Sequence, residues 1–270
     1  MTTSISILSD SLQPVLLAVG LGAARTVPLT WLVPALGGPR VSAEIRVGLG
    51  LLLAVLCLPI LLPAATAGAA LGPLTWIVLF ARELLVGLTV GLCAGAAFRA
   101  AEAAGRLVDI LRGANLAEVL SPTSDERTSP TGDLYLFVAV VLFLEMGGMR
   151  FFMAALARSY EAVPVSGTVP VTAFRAAAAL ITATTAKLLE SALGLAAPVL
   201  VALWVADVTL GVVGRAAPQI PVYFAAMPAK ALLGLGMVLV GLGAVDAAWT
   251  AGFPAWMSLV EHAFSLWRPR

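Results

Sequence analysis

The sequence predicts an all-α, polytopic membrane protein, and three observations support that prediction. Hydrophobic residues occupy 60% of the 270 positions, and charged residues occupy only 11%. A typical soluble domain has about 45–50% apolar and about 25% charged residues. The apolar residues fall in long runs without the alternation that marks the strands of a membrane barrel. A single core cannot hide so much apolar surface, so lipid or partner subunits must cover part of it.

The chain contains long apolar segments that are expected to form helices packed as hairpins. Leu and Ala dominate these segments and favour helix, and a membrane-spanning helix needs about 20 residues. The segments cover residues 12–36, 47–62 (ending before Pro63), 71–98, 134–157, 171–195, 198–215 and 229–249, followed by a short aromatic segment at 253–267.

The segment at 71–98 is a poor membrane span when it stands alone. Its Leu, Ile, Val and Phe residues favour insertion by about 4–7 kcal/mol in total, whereas Arg82 with Glu83 costs about 5–7 kcal/mol. The segment at 47–62 has no charge but is only about 24 Å long, against a hydrocarbon core of about 30 Å. We therefore expect several helices to pack against protein rather than lipid.

Ionisable residues inside apolar segments are expected to be paired or functional, because an isolated charge in a membrane is costly. Arg82 and Glu83 are neighbours, so they point about 100° apart on a helix and each needs its own partner. Asp207 is expected to meet an arginine or a backbone donor across an interface. The candidates for buried or interface charges are Arg25, Arg46, Arg82, Glu83, Asp207, Arg215 and Lys230.

Gly87, Gly91 and Gly95 are spaced four residues apart and fall on one helix face. Small residues at this spacing let two membrane helices approach closely. The alternative is that they reflect only the high glycine content of membrane helices, but three glycines in register favour a packing interface.

Residues 99–133 form the longest polar stretch and are too charged to lie in lipid, so we expect them in water or in a pore. Within this stretch the helical pattern is interrupted by Gly113, Ala114, Asn115 and Leu116, which carry no charge. Two interpretations are open from the residues alone: a constriction in a pore, or an ordinary solvated connector.

No set of residues points to catalysis, to a cofactor or to a metal. The one histidine, His262, lies near the C-terminus, and no Ser-His-acid or Cys-His set can be built around it. Cys57 and Cys93 lie in apolar runs without the spacing of metal ligands. The net charge of +1 gives no support for a nucleic acid partner.

Several motifs across nearly the whole chain resemble the FliR/SctT family. They are Pro-Ala-Leu-Gly-Gly-Pro at 34–39, Arg-Glu-Leu-Leu-Val-Gly at 82–87, Ser-Pro at 129–130, Gly-Arg-Ala-Ala-Pro-Gln at 214–219 and Met-Pro-Ala-Lys at 227–230. Met227-Pro228 stands where many flagellar members carry Phe-Pro, which favours the injectisome branch over flagellar FliR. Gly147-Gly148 stands where flagellar members often carry Asn-Gly-His, so any role of that histidine is absent here.

The resemblance implies one FliR/SctT-like domain over residues 1–270, in a multi-pass protein of the bacterial inner membrane. It implies a non-enzymatic core subunit of a type III secretion export gate, surrounded by membrane lipid. In that gate, SctR/FliP-type and SctS/FliQ-type subunits would complete a helical cone through which unfolded proteins pass, and SctU/FlhB-type subunits would be further partners. It also implies that the loop at Gly113 to Leu116 helps to plug the resting channel.

Two alternatives remain beside this interpretation: a flagellar FliR-type export subunit and a small-molecule secondary transporter. A transporter needs polar groups that converge on one ligand site in the middle of the membrane. The charges of this chain are instead scattered, one or two per segment, which favours pairing between helices of a larger complex.

Overall fold

The computed structural model describes residues 2–38, 41–68, 72–113, 129–165, 171–219 and 222–267, and every regular element in these ranges is a helix. The elements in order are α1 (Thr2–Leu32), a 3-10 helix (Pro34–Leu36), α2 (Ala43–Leu56), α3 (Leu58–Gly68), α4 (Pro73–Arg112), α5 (Pro130–Glu145), α6 (Gly148–Ala162), α7 (Val171–Ala216) and α8 (Val222–Ser265).

The prediction of an all-α, polytopic membrane protein is confirmed. Within the described ranges, four stretches are long and apolar enough to cross a membrane, namely Leu12–Leu32, Leu74–Arg112, Ala173–Ala216 and Ala226–Ser265. The broken pair α5 and α6 adds a fifth crossing if the two helices count as one span.

The two longest helices each join segments that the sequence predicted as separate. Helix α7 runs through Pro198 and unites 171–195 with 198–215, and α8 unites 229–249 with 253–267. The predicted breaks were wrong because a proline inside a helix costs about 3 kcal/mol. Ending the helix in apolar surroundings costs more, since it leaves about four donors and four acceptors unpaired.

The segment at 47–62 was predicted to end at Pro63, but it divides earlier. The break lies at Cys57, between α2 and α3, and Pro63 lies inside α3. Pro59 explains the position of the break, because it has no N–H for the carbonyl of Val55 and its ring would clash with that carbonyl.

Two glycines in the left-handed region mark further interruptions. Gly147, with φ of 72°, divides the predicted segment at 134–157 into α5 and α6. Gly113, with φ of 82°, directly follows α4, so the first part of the polar stretch at 99–133 continues that helix. Only glycine adopts these angles without strain. Three plug candidates, Ala114, Asn115 and Leu116, lie outside the described residues.

The chain divides into two compact units, and α4, α5, α7 and α8 contribute residues to both. The first unit comprises Met1–Ala96, Phe143–Thr185 and Pro254–Arg270, and the second comprises Ala97–Leu142 and Ala186–Phe253. In the first unit, α1 packs on α2 and α3, and α3 packs on α6. That the whole chain acts as one membrane domain stays a prediction.

The three glycines of the predicted packing face lie where α4 meets α1. A Cβ atom at Gly87 would overlap the backbone carbonyl of Arg25, and one at Gly95 would overlap that of Leu32. A Cβ atom at Gly91 would lie 2.9 Å from the Leu32 side chain. The absence of side chains at these positions therefore lets the two helix backbones touch.

Replacing Gly87 with alanine is expected to destabilise the purified protein, by about 1–3 kcal/mol for an overpacked contact. The matched control is Gly211→Ala on α7, because a Cβ atom at Gly211 has no neighbouring atom within 4 Å. Alanine favours helix over glycine by about 0.5–1 kcal/mol, so the control is expected to be neutral or stabilising. Thermal unfolding in detergent measures the difference. Equal melting temperatures for the two variants would show that α1 and α4 can move apart to accept the extra methyl group without loss of stability.

Candidate functional site

An ion pair joins α1 to α4 within the first unit. The Nε and Nη2 atoms of Arg25 each lie 2.6 Å from Oε2 of Glu83, and both side chains are completely buried. A charge buried alone is very costly, so each residue depends on the other. The pair therefore holds the two helices at one register.

The remaining donors of Arg25 reach α6 and the residue that follows it. Nη1 donates to Ser159 Oγ at 3.0 Å, and Nη2 donates to the Val163 carbonyl oxygen at 3.0 Å. The guanidinium group also lies over the ring of Tyr160, with Cζ 4.2 Å from the ring centroid, which is a cation–π contact. Arg25 thus connects α1, α4 and α6.

Arg82 lies beside this pair and binds backbone oxygens. Its Nη1 donates to the carbonyls of Pro164 at 2.9 Å and Val165 at 3.3 Å, and lies 3.7 Å from Glu83 Oε1. These carbonyls come just after α6, and the C-terminal end of a helix is electrically negative. Backbone oxygens therefore help one carboxylate to balance two cations. We call this group the Arg25 cluster, defined as Arg25, Arg82, Glu83, Ser159 and Tyr160.

The Arg25 cluster is suited to holding helices in place rather than to chemistry on a substrate. Arg25, Arg82 and Glu83 are at most 3% exposed, so a substrate has no access to their charged atoms. Among the described residues, no group of three or more His, Cys, Asp or Glu side chains could hold a metal ion.

The other predicted charges lie apart from the Arg25 cluster. In the second unit, Lys230 Nζ on α8 lies 2.7 Å from Oδ1 of Asp207 on α7, and both side chains are half-buried. In the first unit, the half-buried Arg46 lies over the Trp31 ring, with Cζ 3.9 Å from the ring centroid. Arg215 is exposed at the end of α7. Their roles at interfaces with other subunits stay predictions.

A second buried carboxylate, Asp109, was not singled out by the sequence analysis. It accepts hydrogen bonds from Ser129 Oγ at 2.7 Å, from Thr131 Oγ1 at 2.6 Å and from Thr131 N at 2.9 Å. Arg112 Nη2 lies 2.8 Å from its Oδ1. These four residues form the Asp109 clasp, which ties the end of α4 to the start of α5 across residues 114–128. The available sequence signal was an acid three residues before Arg112, followed later by the helix-starting Ser-Pro-Thr.

Comparison with known proteins identifies the chain's relatives. The family described as "Bacterial export proteins, family 1" matches residues 16–255. Secretion system apparatus protein SsaT of Salmonella typhimurium is 30% identical over 226 residues, which are 83% of this chain and 86% of that protein. Yop proteins translocation protein T of Yersinia pestis is 35% identical over 159 residues, 59% of this chain and 60% of that protein. Flagellar biosynthetic protein FliR of Caulobacter vibrioides is 27% identical over 230 residues, 84% of this chain and 89% of that protein.

The long apolar helices and these relatives together define a multi-pass protein of the bacterial inner membrane, as predicted. The chain belongs to the bacterial export proteins, family 1, which confirms the FliR/SctT resemblance. It is therefore a component of a protein export apparatus.

Glu83→Ala is expected to reduce sharply the amount of folded protein in the membrane. The change leaves Arg25 buried without its carboxylate, which costs about 3–5 kcal/mol. The matched control is Glu145→Ala, which removes an exposed acid from α5. Quantitative immunoblotting of membranes, with limited proteolysis, measures folded protein.

A double replacement tests the reason for the loss. Arg25→Leu combined with Glu83→Leu leaves neither member of the pair charged, and replacing a whole buried pair with apolar residues is often tolerated. The double variant is expected to recover part of the protein lost in Glu83→Ala. Equal yields for Glu83→Ala and Glu145→Ala would contradict the structural role of the pair.

Proposed function

We propose that this chain is a non-enzymatic core subunit of a type III secretion export gate, and that it forms part of the channel through which unfolded proteins cross the inner membrane. Its partners in this proposal are SctR/FliP-type, SctS/FliQ-type and SctU/FlhB-type subunits, with membrane lipid around the assembly. The relatives named for a secretion system apparatus and for Yop protein translocation support this role. The Met-Pro-Ala-Lys motif at 227–230 favours the injectisome branch over a flagellar FliR-type subunit.

The observation that carries the proposal is the length of α7 and α8. They contain 46 and 44 residues, so they are about 69 and 66 Å long at about 1.5 Å per residue. The hydrocarbon core of a bilayer is about 30 Å thick, and a tilt of about 40° would not hide the excess. Parts of both helices must therefore extend beyond the hydrocarbon.

These helices are also poorly covered within the chain itself. Only 17% of the most apolar window of each is buried. Exposed apolar side chains on them include Val205, Val208, Val212, Leu232, Leu239 and Val240. Apolar surface that lies beyond the hydrocarbon requires cover from protein, which partner helices in a larger assembly would supply.

We further propose that Gly113, Ala114, Asn115 and Leu116 belong to a plug of the resting channel. Small, weakly polar side chains exclude water and ions without binding a passing polypeptide tightly. Gly113 adds backbone freedom at the base of the plug. The Asp109 clasp supports this arrangement, because it holds together the two chain segments on either side of residues 114–128.

Expression of the chain alone is expected to yield degraded or aggregated protein, because the exposed faces of α7 and α8 lack their cover. Co-expression with SctR-type and SctS-type subunits is expected to rescue it and to give one co-purifying complex in mild detergent. Size-exclusion chromatography with mass spectrometry identifies the components. A long-lived monomer or homodimer would favour the small-molecule transporter over the export subunit.

Deleting residues 113–116 is expected to preserve assembly but to make the membrane permeable to ions and small solutes. Conductance of the reconstituted complex across a planar bilayer measures this leak. The matched control is deletion of residues 124–128, which is expected to leave the membrane tight. If the complex without residues 113–116 assembles and stays as tight as the wild type, the segment is only a connector.

A further inference from the structure

An open apolar groove lies in the first unit between α1, α2 and α4. Its volume is about 990 Å³, near the upper end of the range of about 300–1,000 Å³ for ligand sites. Its walls include Ala24 and Val27 of α1, Leu51 of α2, and Leu84 and Leu88 of α4. Three of these wall side chains, Leu51, Leu84 and Leu88, are exposed. The groove is therefore open to the lipid or protein that surrounds the chain.

The dimensions of the groove suit one leaflet of a bilayer. Its lining extends along α1 from Gly20 to Leu32 and along α4 from Ile77 to Leu88, which is about 17–18 Å at about 1.5 Å per residue. Half of a hydrocarbon core is about 15 Å.

One end of the groove carries a cation. Trp31 and Val47 line that end, and the Arg46 guanidinium lies over the Trp31 ring at 3.9 Å. Among the described residues, the Arg46 side chain has no ion pair, and its Nε is buried without a hydrogen-bond partner. Glu44, on the same helix turn, is exposed and is attracted to the Arg46 charge at longer range than an ion pair.

We propose that this groove binds an anionic phospholipid, with an acyl chain in the apolar slot and the headgroup phosphate on Arg46. A phosphate accepts charge-assisted hydrogen bonds from a guanidinium group. The buried Nε of Arg46 is closed to a headgroup, so the phosphate would bind the Nη atoms. Tryptophan commonly lies at the headgroup level of a membrane, and Trp31 occupies that level in this arrangement. An apolar partner helix would leave the Arg46 cation without an anion.

The test uses the full chain purified with its co-purifying subunits, after removal of native lipid. Native mass spectrometry follows titration with dioleoyl phosphatidylglycerol or dioleoyl phosphatidylcholine. The wild type is expected to bind phosphatidylglycerol more tightly. Arg46→Gln is expected to weaken phosphatidylglycerol binding by about tenfold, the loss of one charge-assisted hydrogen-bonding partner. The matched control is Arg215→Gln, which changes an exposed arginine far along the chain and is expected to have no effect.

Two further variants locate the lipid. Ala24→Trp places a large ring in the slot and is expected to abolish the site for both lipids. A photoreactive amino acid at Leu51 is expected to capture phosphatidylglycerol, and the same probe at Val240 on α8 supplies the background. Arg46→Gln keeps the test valid if Ala24→Trp fails to fold. Equal effects of Arg46→Gln and Arg215→Gln, or capture of a protein subunit instead of lipid at Leu51, would overturn the proposal.

Discussion

The buried ion pair of Arg25 and Glu83 controls how the first unit is built. Neither charge is exposed, so α1 and α4 are held at the one register where the two groups meet at 2.6 Å. The end of α6 must then bring Ser159 and the Val163 carbonyl to the same place. Gly87 acts on the same contact, because any side chain there would overlap the α1 backbone. Electrostatics and sterics thus select the same arrangement.

This arrangement explains how a marginal membrane span becomes a stable helix. Taken alone, the segment at 71–98 gains about as much from its apolar residues as it loses through Arg82 and Glu83. In the folded chain Glu83 binds Arg25, and Arg82 binds the carbonyls that follow α6. The cost of the charges is therefore met by protein groups, and the apolar side chains of α4 can contribute to stability.

The chain has two kinds of apolar surface that its own helices leave uncovered, and they differ in length and in the charge beside them. Helices α7 and α8 exceed the thickness of a bilayer, so part of their surface requires partner subunits. The groove between α1, α2 and α4 matches half a bilayer in length and ends near the Arg46 cation, which lies over Trp31. A phospholipid offers both an acyl chain for the groove and an anion for Arg46. Protein and lipid can therefore stabilise different faces of the same chain.

Composition was enough to predict the all-α membrane class, and the motifs at 214–219 and 227–230 were enough to predict the family. These two predictions depend on residue types rather than on contacts between distant residues. Charges inside apolar runs were also visible, since they are costly wherever they lie. Only the tertiary structure decided which charges meet. Arg25 lies 58 residues from Glu83 and 134 from Ser159, and Asp109 binds Thr131, 22 residues further along the chain. Local patterns report the preference of a segment for helix, whereas contacts between distant residues depend on how the helices pack.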